Sequence, residues 1–147
     1  MNNYEAYNEL LTDEDLFKLD LLNNQLIASI LNIASDLYAY MSTVEGIDLI
    51  YTKYLNPQEV YYSLNPDVAA IKSSYLALFA RTILTKVGFN KYNHLYDRCL
   101  EGEINYSLQP NVYINIANVF GLVQYSYALN AAIGIYERDL EQPVFGI

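Results

Sequence analysis

INYSLQPNVYINIANVFGLVQYSYALNAAIGIY, residues 104–136, runs for 33 residues without a charged side chain. How this stretch is read decides the fold. It is long enough to cross a bilayer, for which about 20 apolar residues suffice. It is also what the centre of a soluble bundle looks like, a helix apolar around most of its circumference. Asn105, Asn111, Asn115, Asn118, Gln124 and Asn130 interrupt it, and such amides are costly in hydrocarbon. The stretch therefore reads as the central helix of an all-α bundle, with no membrane partner. Within that bundle Asn115 and Asn118 are expected to bond across helices, tyrosine hydroxyls being candidate partners, because an unpaired buried amide costs about 1–3 kcal/mol.

The helix starts are written in one grammar. Leu55-Asn56-Pro57, Leu64-Asn65-Pro66 and Leu108-Gln109-Pro110 each place proline where its missing N–H is harmless, at the first helical position. Asn before it is a good N-cap, and Gln a poorer one. The pentapeptides YSLNP (62–66) and YSLQP (106–110), with YDRCLE (96–101) and YERDLE (136–141), hint at two related units, 62–101 and 106–141. Residues between these anchors match poorly, so the repeats are punctuation first.

Upstream, Thr12-Asp13-Glu14-Asp15 has the form of a capping box at the positive end of a helix dipole. Leu16, Leu19, Leu22, Leu26, Ile30, Ile33, Leu37 and Met41 follow at spacings of three and four, the stripe of an amphipathic helix over about 13–41. Ser42 with Glu45 forms a second capping box, so a shorter helix at about 43–54 is expected to restart or kink near Gly46. A long helix is expected from 66 to about 87, ending at Gly88, a short one at 91–101 after Asn90, and a third long one at 110–141, stopped by Pro143. The whole, 1–147, reads as one helical domain with flexible or docking tails at 1–11 and 142–147.

Composition narrows the chemistry. The apolar fraction of 53% excludes a disordered chain. Sixteen tyrosines, no tryptophan and fifteen asparagines suit an A+T-rich genome. The single cysteine, Cys99, cannot form an intrachain disulfide, and MNNYEAYNELLTDED lacks the basic start and apolar core of a secretory signal. A cytoplasmic setting is expected. The net charge of −9 is concentrated at the front, where residues 1–48 hold nine acidic groups against Lys18 alone. That balance speaks against direct binding to nucleic acid and permits a basic protein partner.

Catalytic and metal signatures are missing. No phosphate-cradling glycine loop and no nucleophile elbow occurs. Glu-x-x-His is absent, and the one histidine, His94, does not converge with Asp97 and Cys99 on one helix face. Asp36, Glu45, Asp48 and Glu59 could at most form an all-oxygen metal site. No cofactor is expected, and the chain reads as a non-enzyme. Two further candidates remain. Asp13, Glu14, Asp15 and Asp20 form an acidic face that could imitate nucleic acid and block a basic protein. Tyr38, Tyr40, Tyr51, Tyr54, Tyr61, Tyr62, Tyr125 and Tyr127 are too spread for one core, and tyrosine is enriched at interfaces. The favoured expectation is a protein–protein interaction module that pairs with itself, a homodimer, through tyrosine-rich helix faces.

Overall fold

The computed structural model describes residues 11–55 and 65–141. They form three helices: α1 (Asp13–Leu55), α2 (Pro66–Leu100) and α3 (Gln109–Glu141). The fold is an all-α bundle. Both tails except Leu11, and with them Asn56-Pro57, Glu59, Tyr61, Tyr62 and Leu64, lie outside the described residues.

Local chemistry sets the helix starts as expected. The Asp15 amide donates to the Thr12 hydroxyl oxygen at 3.2 Å, and that hydroxyl donates to the Asp15 carboxylate at 2.6 Å. The Thr12 amide also donates to the carboxylate, at 3.2 Å, closing the capping box. Asn65 caps α2 by accepting from the Asp67 amide at 2.9 Å, with Pro66 at the first helical position. At α3 the weak cap is bypassed: the Ser107 hydroxyl accepts from the Gln109 amide at 3.2 Å, and the helix starts at Gln109 rather than Pro110.

Two expected breaks do not occur. The segments 13–41 and 43–54 are one helix of 43 residues, about 64 Å long. The Ser42–Glu45 box goes unused as a helix start, because the backbone never leaves the helix there. The Thr43 hydroxyl donates back to the Ala39 carbonyl at 3.0 Å instead. Likewise 66–87 and 91–101 are one helix of 35 residues, continuous through Gly88 and Asn90. Gly88 ends nothing. It stays helical because α3 packs on it: a Cβ there would overlap the Asn115 Oδ1 and lie 3.0 Å from the Asn118 Nδ2. The chain does turn at Gly102, whose φ of 78° suits glycine.

α2 is the middle element. α1 packs along one of its flanks and α3 along another, and α1 and α3 do not touch. The uncharged helix is therefore an outer layer rather than the centre. Both packings are antiparallel. Arg98 meets Glu14 at one end of α1 and Lys72 meets Tyr38 towards the other. Gly88 lies on Asn115 and Gly121 on Arg81.

The seams between helices are built from small and polar side chains. On α1, Leu21, Ala28 and Ser35 are buried, seven residues apart, so one narrow face meets α2. The Ser35 hydroxyl donates to the Ser73 carbonyl at 2.9 Å and lies 3.2 Å from the Ser73 hydroxyl. Ala69, Ala77, Ala80 and Val87 are the buried residues of α2, Ala80 and Val87 sharing the face of Ser73 by helical spacing. On α3 they are Asn115, Asn118 and Gly121. Asn118 bonds across as expected, but to Arg81 and to the Leu84 carbonyl rather than to a tyrosine. The Asn115 Oδ1 is buried with no partner.

Candidate functional site

The stripe that sequence reading assigns to the core of α1 faces outward. Leu16, Leu19, Leu22, Leu26, Ile30, Ile33, Leu37 and Met41 are all exposed. The reason is geometric. Ala28 and Ser35 lie two residues beyond Leu26 and Ile33, about 200° round the helix. The small face admits close approach of the α2 backbone, and the large face is turned away by the same contact.

This outward stripe has a regular period. Leu26, Ile30, Ile33 and Leu37 lead into Tyr40, Val44, Ile47, Tyr51 and Tyr54, alternating steps of four and three without a break. All nine are between 41 and 78% exposed. A heptad repeat of this length has the form of a coiled-coil seam. A shorter run of the same kind lies on α3, where Tyr113, Ile116, Phe120, Val123 and Tyr127 are exposed at steps of three and four. Beside it an apolar cleft of about 440 Å³ between α2 and α3 is lined by Phe89, Tyr92, Val112, Ile116, Val119 and Phe120, together with Asn115.

The candidate tyrosines divide into two groups. Tyr40, Tyr51, Tyr54 and Tyr127 are exposed on these stripes. Tyr38 and Tyr125 are half-buried and engaged within the chain: the Lys72 ammonium lies 5.5 Å from the Tyr38 ring centre and the Arg81 guanidinium 5.9 Å from that of Tyr125. No family model, curated protein or solved structure matches the chain. Its surface must therefore be read on its own terms. Sequence reasoning names Tyr40, Tyr51 and Tyr54 but misses their alignment with the aliphatic stripe, since periodicity assigns that stripe inward.

Two of the four acidic candidates, Glu14 and Asp15, are tied into the fold. Glu14 pairs with Lys18 at 2.8 Å and with Arg98 at 2.9 Å, and Arg98 also holds Glu103 at 2.8 Å. The hydrogen bond from Lys18, then the charge of Arg98, hold the Glu14 carboxyl below the usual carboxylate range. The Thr12 hydroxyl and amide do the same for Asp15. Asp13 and Asp20 are exposed. Asp67 is the opposite case: burial, and then the charge of Asp139, raise its carboxyl above the usual range.

These shifts carry a pH signature. Groups with depressed values stabilise the fold above the ordinary carboxylate range and lose that contribution as pH falls through it. Asp67, with a raised value, disfavours folding at neutral pH and is relieved on acidification. The unfolding temperature is therefore expected to fall below about pH 4 as Glu14 and Asp15 are protonated. Asp67→Asn should abolish any gain seen between neutral pH and that point. Thermal melts followed by circular dichroism across this range check both expectations.

Other chemistry finds little support in the geometry. Among the described residues no three His, Cys, Asp or Glu side chains are grouped as a metal site requires. His94 packs on Phe17, ring centres 4.5 Å apart, its Nε2 buried without a partner, while Cys99 is exposed. Among the described residues one helix, α2, is long and apolar enough to cross a membrane by length and composition. Its apolar middle carries Lys72 and Arg81, both engaged with aromatic rings of the neighbouring helices.

Proposed function

We propose that the protein is a non-catalytic interaction module that assembles with copies of itself through apolar, tyrosine-bearing helix faces. One observation carries this: the apolar surface is inverted. The buried apolar residues are Leu21, Ala28, Ala69, Ala77, Ala80 and Val87, four of them alanines, and among the described residues 34 large hydrophobic side chains stand exposed. Single exposed hydrophobes are ordinary, but contiguous apolar patches beyond a few hundred Å² mark interaction sites. Tyrosines at Tyr40, Tyr51, Tyr54 and Tyr127 suit such a surface, offering rigid area and a hydroxyl. A twofold homodimer is the commonest closed form. Acidic mimicry of nucleic acid is less well supported, because Glu14 and Asp15 are committed to pairing and capping.

Light scattering of the full chain over the micromolar range tests the proposal. A mass of twice the monomer, or a concentration-dependent rise towards it, is expected. A strict monomer at the highest concentration would defeat it.

A further inference from the structure

We infer that the outward seam of α1 is half of a two-stranded antiparallel coiled coil, completed by α1 of a second copy; the pairing presupposes the self-association proposed above.

The period of the seam selects an α-helix as its occupant. Any amphipathic helix alternates steps of three and four, but a strict heptad stripe drifts about 20° per heptad on a straight helix, roughly 80° over residues 26–54. Such a stripe stays in contact along its length when the helix supercoils with a second helix, knobs into holes. Over the nine positions the repeat is unbroken, and α2 occupies the opposite face of α1, so no described helix occupies the seam. At their observed exposures these nine side chains leave on the order of 1,000 Å² per copy. Two copies therefore bring together roughly the 1,200–2,000 Å² that a stable interface takes.

Size and charge select the direction. In a parallel pair Tyr40, Tyr51 and Tyr54 would each face their own copies, crowding rings into one half of the seam. Parallel dimers prefer β-branched residues at one heptad position and Leu at the other. Here Leu37 and Tyr51 fall among the first set, and Ile33, Tyr40, Ile47 and Tyr54 among the second. An antiparallel pair can instead set Ile30 against Tyr54 of the other copy and Ile33 against Tyr51. The same register sets Leu37 against Ile47 and Tyr40 against Val44, so every ring meets an aliphatic side chain. Asp36 and Asp48, which flank the seam, then face Ile50 and Ala34 and meet no carboxylate. Direction also separates the acidic ends. A parallel pair would bring Asp13, Glu14, Asp15 and Asp20 of both copies together. The antiparallel pair holds them about 65–85 Å apart and opposes the helix dipoles.

Three measurements on the full chain test this. Leu37→Asp with Val44→Asp should convert a dimer to a monomer, raising the dissociation constant at least about a hundredfold. Helical ellipticity should be retained, because both positions are exposed in the single chain. In a Cys99→Ser background, mixing an Ile30→Cys chain with a Tyr54→Cys chain under mild oxidation should give the mixed disulfide. Homodisulfides alone would overturn the antiparallel direction. A dimer indifferent to the double Asp substitution would overturn the seam and leave self-association standing, whereas a monomeric unsubstituted chain would remove both. Sedimentation of the unsubstituted chain with phosphatidylcholine vesicles, lost on the Asp substitutions, would assign the seam to lipid and overturn the pairing.

Discussion

Ala28→Leu is expected to lower the unfolding temperature of the full chain by roughly 2–12 °C. Ala28 is completely buried where α1 meets α2. Ser35, one heptad on, bonds to Ser73 across the same seam. Three added carbons have no space there, and either the helices separate or the side chain strains. Overpacking of this kind costs about 1–3 kcal/mol, occasionally more. In a chain of this size 1 kcal/mol shifts the midpoint by about 2–4 °C. The matched control is Leu26→Ala, two residues earlier and on the opposite face. If Leu26 lay in the core of the single chain, truncation would cost about 2–5 kcal/mol. At 60% exposure it should change the stability of the dissociated chain by no more than about 0.5 kcal/mol. Melts of the two variants at concentrations below association decide between the faces. A larger loss from Leu26→Ala than from Ala28→Leu would mean that α1 is turned the other way.

Gly88→Ala should also destabilise, against the usual direction for glycine in a helix. Replacing a mid-helix glycine normally gains about 0.5–1 kcal/mol. Here the new Cβ would overlap the Asn115 Oδ1 and lie 3.0 Å from the Asn118 Nδ2. Asn118 cannot withdraw without losing its bonds to Arg81 and to the Leu84 carbonyl. Overpacking then outweighs the propensity gain, for a net loss of about 1–2 kcal/mol. Gly46 and Gly134 have nothing within 4 Å of an added Cβ. Alanine at either should stabilise by about 0.5–1 kcal/mol. Denaturant midpoints of the three variants form one test. A gain at Gly88 equal to that at Gly46 would show that α3 does not seat on α2 as described. Gly121→Ala should destabilise as well, since its Cβ would overlap the Arg81 Nε and Cδ, and Arg81 is held by Asn118 and the Tyr125 ring.

Helix content and helix starts were determined by the sequence itself. Thr12 with Asp15, and Asn65 with Pro66, act over three residues or fewer, so their chemistry is complete before any tertiary contact forms. The cap at Ser42 and the glycine at 88 were legible as residues but not as outcomes. A cap signal acts only where the chain leaves the helix, and Gly88 remains helical because Asn115 and Asn118 of a distant segment rest on it. The orientation of α1 was decided by tertiary structure alone. Its sequence carries two heptad faces about 200° apart, one of large apolar side chains and one running through Ala28 and Ser35. Periodicity ranks faces by hydrophobicity and so selects the first. Packing depends on what the neighbour presents, and α2 presents Ser73, Ala80 and Val87 from one face, which α1 meets through Leu21, Ala28 and Ser35. That fit turns Leu26, Leu37, Tyr40 and Tyr54 outward and makes a surface of what the sequence had marked as core.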